Sequence, residues 1–303
     1  MTQQRAGDEG SSVGVFAAVD GSTAALGAAR WAALHARCHA RPLTIGCAVQ
    51  LPVPSGEAGS ARTDFLDALR KRCERALDRA QEVARGVLGP DHRVTTRLRE
   101  GPPTPAILDL AGDADLVVLG DRGLGESPER AAGSVTSALI AYGARPVAVV
   151  RGWTGAEESL GAGPIVVGVD GSPHCTAALE FGLAEAQARG ADLEVVHAWS
   201  DVPLTGLDEP HLQWESIQER EDAVLAESLA GWQERFPGVT IRREVVHDRP
   251  VRHLLGHADD AQLLVVGHRG RGGFTGMMVG STSRALLHSA PCPLVVVRDP
   301  GER

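Results

Sequence analysis

The stretch GHRGRGGFTGMMVGS, from Gly267 to Ser281, follows an apolar run at 263–266 and precedes a helical-looking run at 281–289. Three glycines stand at fixed offsets, Gly267, Gly270 and Gly280, with Ser281 next. A strand, a glycine-rich loop and a helix start together make a physical phosphate site. Glycines let the backbone approach a ligand, exposed N–H groups donate to phosphate oxygens, and the helix start carries partial positive charge. The same spacing occurs earlier, at Gly120, Gly123, Gly133 and Ser134, after the run 116–119. With 36 glycines in 303 residues, one such copy arises by chance with a probability of roughly 0.1. Two copies, each between a strand and a helix in its own half of the chain, indicate a duplicated site.

The rest of the chain repeats as well. FAAVDGS ends in Asp20-Gly21-Ser22 and VVGVDGS ends in Asp170-Gly171-Ser172. In the first half, short apolar runs at 13–19 and 43–49 predict strands buried within the sheet, and further strands are expected at 93–98, 116–119 and 146–151. Between them lie helical runs: an Ala-rich one to about residue 40, one at 104–112 and one at 134–142. From Phe65 the apolar residues Leu69, Cys73, Ala76, Ala80, Val83 and Val87 recur in steps of three and four, one face of a long helix. The second half predicts strands at 165–169, 193–199, 239–246, 263–266 and 293–298, with helices at 250–257 and 281–289. Ile217, Leu225, Leu229, Trp232 and Phe236 predict a second long helix. Segments 51–60 and 201–210 read as loops. The plan gives a tail at 1–12, domains at 13–151 and 164–298, and a linker at 152–163. Alternating strands and helices imply two tandem open α/β sheets, mostly parallel, five strands each, with helices on both faces. Ligands of such sheets sit at the carboxyl ends of strands where the order reverses, so one pocket per domain is expected.

Composition narrows the function. A net charge of −9 argues against a general binder of nucleic acid or anionic membrane. No apolar run reaches the length of a membrane span, and residues 1–12 have no signal-peptide core, so a disordered tail and a cytoplasmic protein are expected. The five cysteines are scattered without a C-x-x-C pair, the pattern of reduced thiols. Lys71 is the single lysine, which excludes a Walker-type P-loop and a kinase lysine on a strand.

With these motifs in place, the sequence resembles a tandem universal stress protein of the ATP-binding type. The resemblance rests on the two strand-end aspartates and the two Gly-x-x-Gly-(nine residues)-Gly-Ser loops, and covers about 13–151 and 164–298. It implies a five-stranded domain of the adenine-nucleotide alpha-hydrolase-like, Rossmann-like type, with domains paired through their last strands, 146–151 against 293–298. It implies ATP as ligand, with magnesium able to accompany it. Asp170 would face the adenosine, Gly168 would let the nucleotide approach the first strand, and Ala198 would line the base pocket. Gly267, Arg269 and Gly270 would hold ribose and phosphate, and Gly280, Ser281 and Thr282 would close on the phosphates. The matching first-domain positions are Asp20, Ala48, Gly120, Arg122, Gly123, Gly133 and Ser134, with Ala18 in the place of Gly168. The first loop departs from the second: Glu126 and Glu129 add negative charge and Pro128 removes a donor, which ranks the second site as the tighter one.

Other readings of the same residues stay open at this point. Asp20 and Asp170, with Ser22 and Ser172, can cap helices, and Ser134 and Ser281 can be plain N-caps. His247, His253 and His257 show a spacing zinc uses, but no Cys or carboxylate is placed with them, so no metal is expected. The runs 70–72 and 242–244 read as solvated faces. Phe274, Met277 and Met278 either cover the nucleotide or pack on the other domain. No G-x-S-x-G, H-E-x-x-H or G-x-G-x-x-G follows a strand. A non-catalytic regulator that binds adenine nucleotide and an unidentified protein partner is therefore expected, as a monomer or a homodimer. A slow ATPase and a scaffold with degenerate sites are the alternatives.

Overall fold

The computed structural model describes residues 14–50, 60–123, 133–151, 160–199, 214–247, 249–270 and 278–299. The first domain runs β1 (Val15–Ala18), α1 (Thr23–Cys38), β2 (Leu43–Val49), α2 (Ser60–Leu88), β3 (Val94–Glu100), α3 (Pro103–Ala111), β4 (Leu116–Gly120), α4 (Ser134–Tyr142) and β5 (Val147–Val150). The second runs β6 (Ile165–Val169), α5 (Thr176–Arg189), β7 (Leu193–Trp199), α6 (Trp214–Ser228), α7 (Trp232–Arg235), β8 (Ile241–His247), α8 (Pro250–Ala258), β9 (Leu263–Gly267), α9 (Ser281–Ser289) and β10 (Leu294–Val297).

The inner strands β1, β4, β5, β6, β9 and β10 are hydrophobic because both faces of the sheet are covered there, while the edge strands β3 and β8 carry polar, exposed residues. Successive side chains still alternate: Val15 and Ala17 enter one apolar layer, Phe16 and Ala18 the other. The first layer packs against α1, α2 and α5, the second against α3, α4, α8 and α9. Helix α1 lies close to the sheet because the residues it buries are mostly small: Ala25, Ala28, Ala29, Ala32, Ala33 and Ala36. One expected helix is two. The apolar steps from Ile217 to Phe236 do not lie on a single axis: α6 ends at Ser228, and Gly231, with φ of 78°, takes the left-handed conformation before the single turn of α7.

All ten strands form one sheet, in the order β3-β2-β1-β4-β5-β10-β9-β6-β7-β8. Within each domain every pair is parallel. The domains join through β5 and β10, which are antiparallel, with Ala148 opposite Val295 at the centre and Val147 and Val149 opposite Val296 and Leu294. The expected pairing of last strands is therefore what the structure shows. Arginines after these strands cross the junction. Arg151 donates to the carbonyls of Leu287 (2.6 Å) and His288 in the last turn of α9. Arg298 donates to the Ala141 carbonyl in the last turn of α4, and a cation suits such a helix end. On the other layer Glu185 of α5 is buried among Arg189 (2.5 Å), His39 (2.9 Å) and His35 (3.5 Å), the last from α1 and His39 from its C-cap.

Candidate functional site

In each domain the first strand lies between the second and the fourth: β1 between β2 and β4, β6 between β7 and β9. The chain leaves β1 in one direction and β4 in the other, which opens a crevice at their carboxyl ends. Asp20 and Asp170 stand at that point. Each Oδ1 accepts the N–H of the serine two residues on, Ser22 or Ser172, at 2.9 Å. The intervening Gly21 and Gly171 have φ of 91° and 70°, a turn that side chains with a Cβ disfavour.

The two turns then diverge. Ser22 caps α1: its Oγ accepts the Ala25 N–H at 3.1 Å and lies 3.5 Å from the Arg122 carbonyl of the glycine loop. Ser172 does not cap α5. Pro173–Cys175 forms a 3-10 turn, the Cys175 N–H goes to the Ser172 carbonyl instead (3.2 Å), and α5 starts at Thr176 without a side-chain cap. The Ser172 hydroxyl is left buried without a hydrogen-bond partner among the described residues.

The glycine loops close on themselves. The Gly133 N–H donates to the Asp121 carbonyl (3.2 Å) and the Gly280 N–H to the His268 carbonyl (2.7 Å). This closure fixes the shared spacing: the last glycine returns to the residue just after the strand. Ser134 and Ser281 are not N-caps; Gly133 and Gly280 hold those positions, and each serine is the first helical residue. The first N–H groups of α4 and α9 lack intrahelical partners by geometry, as an anion site requires. Gly120 is needed for packing: a Cβ there would stand 2.8–3.0 Å from Ala24 in the first turn of α1. Gly270 is needed by the aspartate: a Cβ there would stand 2.3 Å from Asp170 Oδ2. Two residues escaped the sequence reading. Ser283 donates to the Gly267 carbonyl at 2.6 Å, and Thr136 holds the matching buried position in the first domain. Their signal is only a hydroxyl two residues inside each helix.

In the first domain these elements wall a cleft of about 520 Å³. Asp20, Ala48, Gly120, Arg122, Gly123, Gly133 and Ser134 all line it. Much of the remaining lining is apolar, including Ala18, Val49, Phe65, Leu69 and Ile107; Cys47, Cys73 and Arg72 also line it from β2 and α2. Arg72, expected on a solvated face, also borders a basic hollow with Arg75 and Arg79 that shares Asp20. Arg122 and Arg151 stand 3.6 and 3.5 Å from Asp121, just under the loop.

In the second domain Arg269 and Gly270 are half-buried, Gly270 beside Asp170, Thr282 is the second residue of α9, and Ala198 packs at the edge of the apolar layer. Gly168 does not face an open approach. A Cβ there would stand 3.0 Å from the Leu254 methyls and 3.2 Å from Val266, so helix packing explains this glycine. Ala18 in the first domain faces the cleft with Ile107. The loop residues Glu126, Pro128, Glu129, Arg130, Phe274 and Met277 lie outside the described residues. Among the described residues, the groups able to share a metal are His35–His39–Glu185 and Glu194–Glu244–His257. His257 lies 3.1 and 3.3 Å from the two glutamates, and neither His247 nor His253 belongs to either group. No helix among the described residues is long and apolar enough to cross a membrane.

Comparison with known proteins bears on the family and the fold. The model of the universal stress protein family matches residues 15–151 and 162–298. A universal stress protein of Mycolicibacterium smegmatis is 38% identical over 289 residues, covering 94% of this chain and 97% of its own. A universal stress protein of Mycobacterium tuberculosis is likewise 38% identical, over 287 residues, with 94% and 97% covered. Among solved structures, a universal stress protein from Archaeoglobus fulgidus superposes with a TM-score of 0.66 at 16% identity, covering 95% of this chain and 97% of that one; it shows the fold.

Proposed function

The chain belongs to the universal stress protein family, and on that premise we propose that each domain binds one adenine nucleotide, ATP, which magnesium can accompany, as a regulatory ligand. The observation that carries this reading is the first-domain cleft. Seven residues read from the sequence as ligand contacts wall one hollow of about 520 Å³, within the size range of small-molecule sites. Its apolar lining suits a purine. Its glycine loop and the start of α4 suit phosphates.

The nucleotide is bound rather than turned over. Phosphoryl transfer needs a positioned nucleophile and charge neutralisation. Among the described residues lining the cleft, Asp20 is the single carboxylate and no histidine accompanies it. The Asp20 Oδ1 already holds the Ser22 N–H. A ligand without turnover acts by binding one conformation or one partner complex better than another. We place this activity in the cytoplasm.

The test is the nucleotide content of freshly purified protein, released by denaturation and separated on ion-exchange resin. ATP near two per chain is the expected result. About one, lost on a Gly280 substitution but not on a Gly133 substitution, restricts the function to the second domain. None, with no binding of added ATP and magnesium, refutes the proposal. Size-exclusion chromatography with and without ATP reads whether the ligand changes assembly. Hydrolysis that persists in highly purified protein and vanishes on a Gly280 substitution would refute the non-catalytic reading.

A further inference from the structure

Two of the five cysteines stand together, in the wall of the first-domain cleft. Cys47 is the fifth residue of β2 and is buried; Cys73 projects from α2 and is half-buried. The Cys73 Sγ lies 3.6 Å from the carbonyl of Ala48, the residue next to Cys47 and itself part of the cleft. Cys47 and Cys73 line the same cleft and pack in the same apolar layer, and the neighbouring Cys47 holds the Cys73 thiol below its ordinary value while Cys73 and burial push Cys47 up. The remaining thiols are engaged elsewhere: Cys38 with the Ala188 carbonyl and Cys175 with the Ser172 carbonyl, while Cys292 is buried in the opposite layer.

The second domain shows what this position does without sulfur. His197 is the fifth residue of β7, as Cys47 is of β2, and pairs in register with the fifth residue of β8 as Cys47 does with that of β3. His197 Nε2 meets Glu221 Oε2 of α6 at 2.8 Å. Both domains therefore tie the second strand to the following helix by one side-chain pair. Only the first domain builds that tie from groups that can become covalent.

We propose that Cys47 and Cys73 form a reversible disulfide on exposure to hydrogen peroxide, and that this bond closes the first-domain cleft to nucleotide. Cys73, the thiol open to the cleft, attacks the peroxide; the O–O bond breaks, water leaves and Cys73 becomes a sulfenic acid. The Cys47 sulfur then attacks the Cys73 sulfur, the S–O bond breaks and a second water leaves. Two thiols are oxidised, one peroxide is reduced, and a dithiol restores the starting state. The sulfurs must close from non-bonded contact to about 2.05 Å. That draws α2 toward β2, and Leu69 and Phe65, one and two turns along α2, already line the cleft. The gating rests on the nucleotide reading above; the disulfide does not.

The experiment oxidises the full chain with hydrogen peroxide, alkylates it, and maps linked peptides by mass spectrometry under non-reducing conditions. ATP bound per chain is measured by equilibrium dialysis before oxidation, after it, and after dithiothreitol. The expected result is a Cys47–Cys73 link, loss of the first-domain share of bound ATP, and recovery of both on reduction. In Cys47→Ser the sulfenic acid of Cys73 persists and is trapped by dimedone. A different link, or no link, overturns the proposal without reliance on any variant. The correct link with unchanged ATP binding overturns the gating. A reduced chain that binds ATP only in the second domain refutes the first-domain site and the gating with it, while the mapping still decides the disulfide.

Discussion

Replacing Gly270 by alanine isolates one contact of the second site. The Gly270 backbone is not among the left-handed glycines, so alanine meets no backbone strain there. The added Cβ would stand 2.3 Å from Asp170 Oδ2, about 1 Å inside ordinary contact, which begins at 3.4 Å. The carboxylate must rotate, and in doing so it leaves the Ser172 N–H that it holds at 2.9 Å. A hydrogen bond to a charged group contributes about 1.5–3 kcal/mol. If Asp170 faces the adenosine, the rotated carboxylate also gives up a charged hydrogen bond of this size to the ligand, and the second-domain affinity falls by roughly 10- to 150-fold. Isothermal titration of the full chain with magnesium and ATP reads this, with the first-domain site as the internal standard. Gly256→Ala is the control: a Cβ there meets nothing within 4 Å on α8, and helical alanine adds about 0.5–1 kcal/mol of stability. An unchanged second-site affinity in Gly270→Ala, with Gly256→Ala behaving as stated, would refute the role given to Asp170.

Other perturbations test the remaining inferences. With Glu126, Glu129 and Pro128 in the first loop, the second domain is expected to bind ATP more tightly; equal affinities in Gly133- and Gly280-substituted chains would sink that ranking. Arg298→Ala strips a cation from the end of α4 across the junction and is expected to cost about 1–2 kcal/mol, a fall in Tm of about 2–4 °C; no change would show that strand pairing alone holds the domains. Stability should fall in acid. Burial opposes the charge on Glu185, yet His35, His39 and Arg189 hold its carboxyl well below the ordinary 4.5, and burial pushes His35 below its ordinary 6.5 despite Glu185. Both groups bind more protons in the unfolded chain, so stability is lost as pH drops below 6.5 and further below 4.5. A Tm that rises on acidification through that window would contradict the assignment.

Much of this architecture was legible because its causes are local. The strands at 43–49, 165–169 and 193–199 and the helices at 134–142 and 281–289 were read residue for residue, since buried strands and short apolar helices are bounded by sharp breakers. The loop spacing was legible because a closed loop of fixed length keeps its glycines at fixed offsets. What failed needed knowledge of partners. Ser172 reads as a cap, but Pro173 shifts the hydrogen bonding by one turn. Gly168 reads as a ligand approach until Leu254, 86 positions away, is seen against it. The helix through Trp232 carries the right apolar steps on both sides of Gly231, and periodicity cannot see the conformation of one glycine. The Cys47–Cys73 pair joins a strand to a helix 26 residues on, and no spacing rule links them.

The junction of β5 with β10 also changes what a single mutation can do. In an assembly of two identical chains, any substitution at the axis is made twice and must suit its own image. Here Ala148 faces Val295, and Arg151 grips two carbonyls where Arg298 grips Ala141. One codon alters one side alone, while translation of one message keeps the two halves at a fixed ratio. Heredity can therefore set the halves apart, leaving a cysteine pair in one and a histidine–glutamate pair in the other, with no risk that like halves assemble without their counterpart.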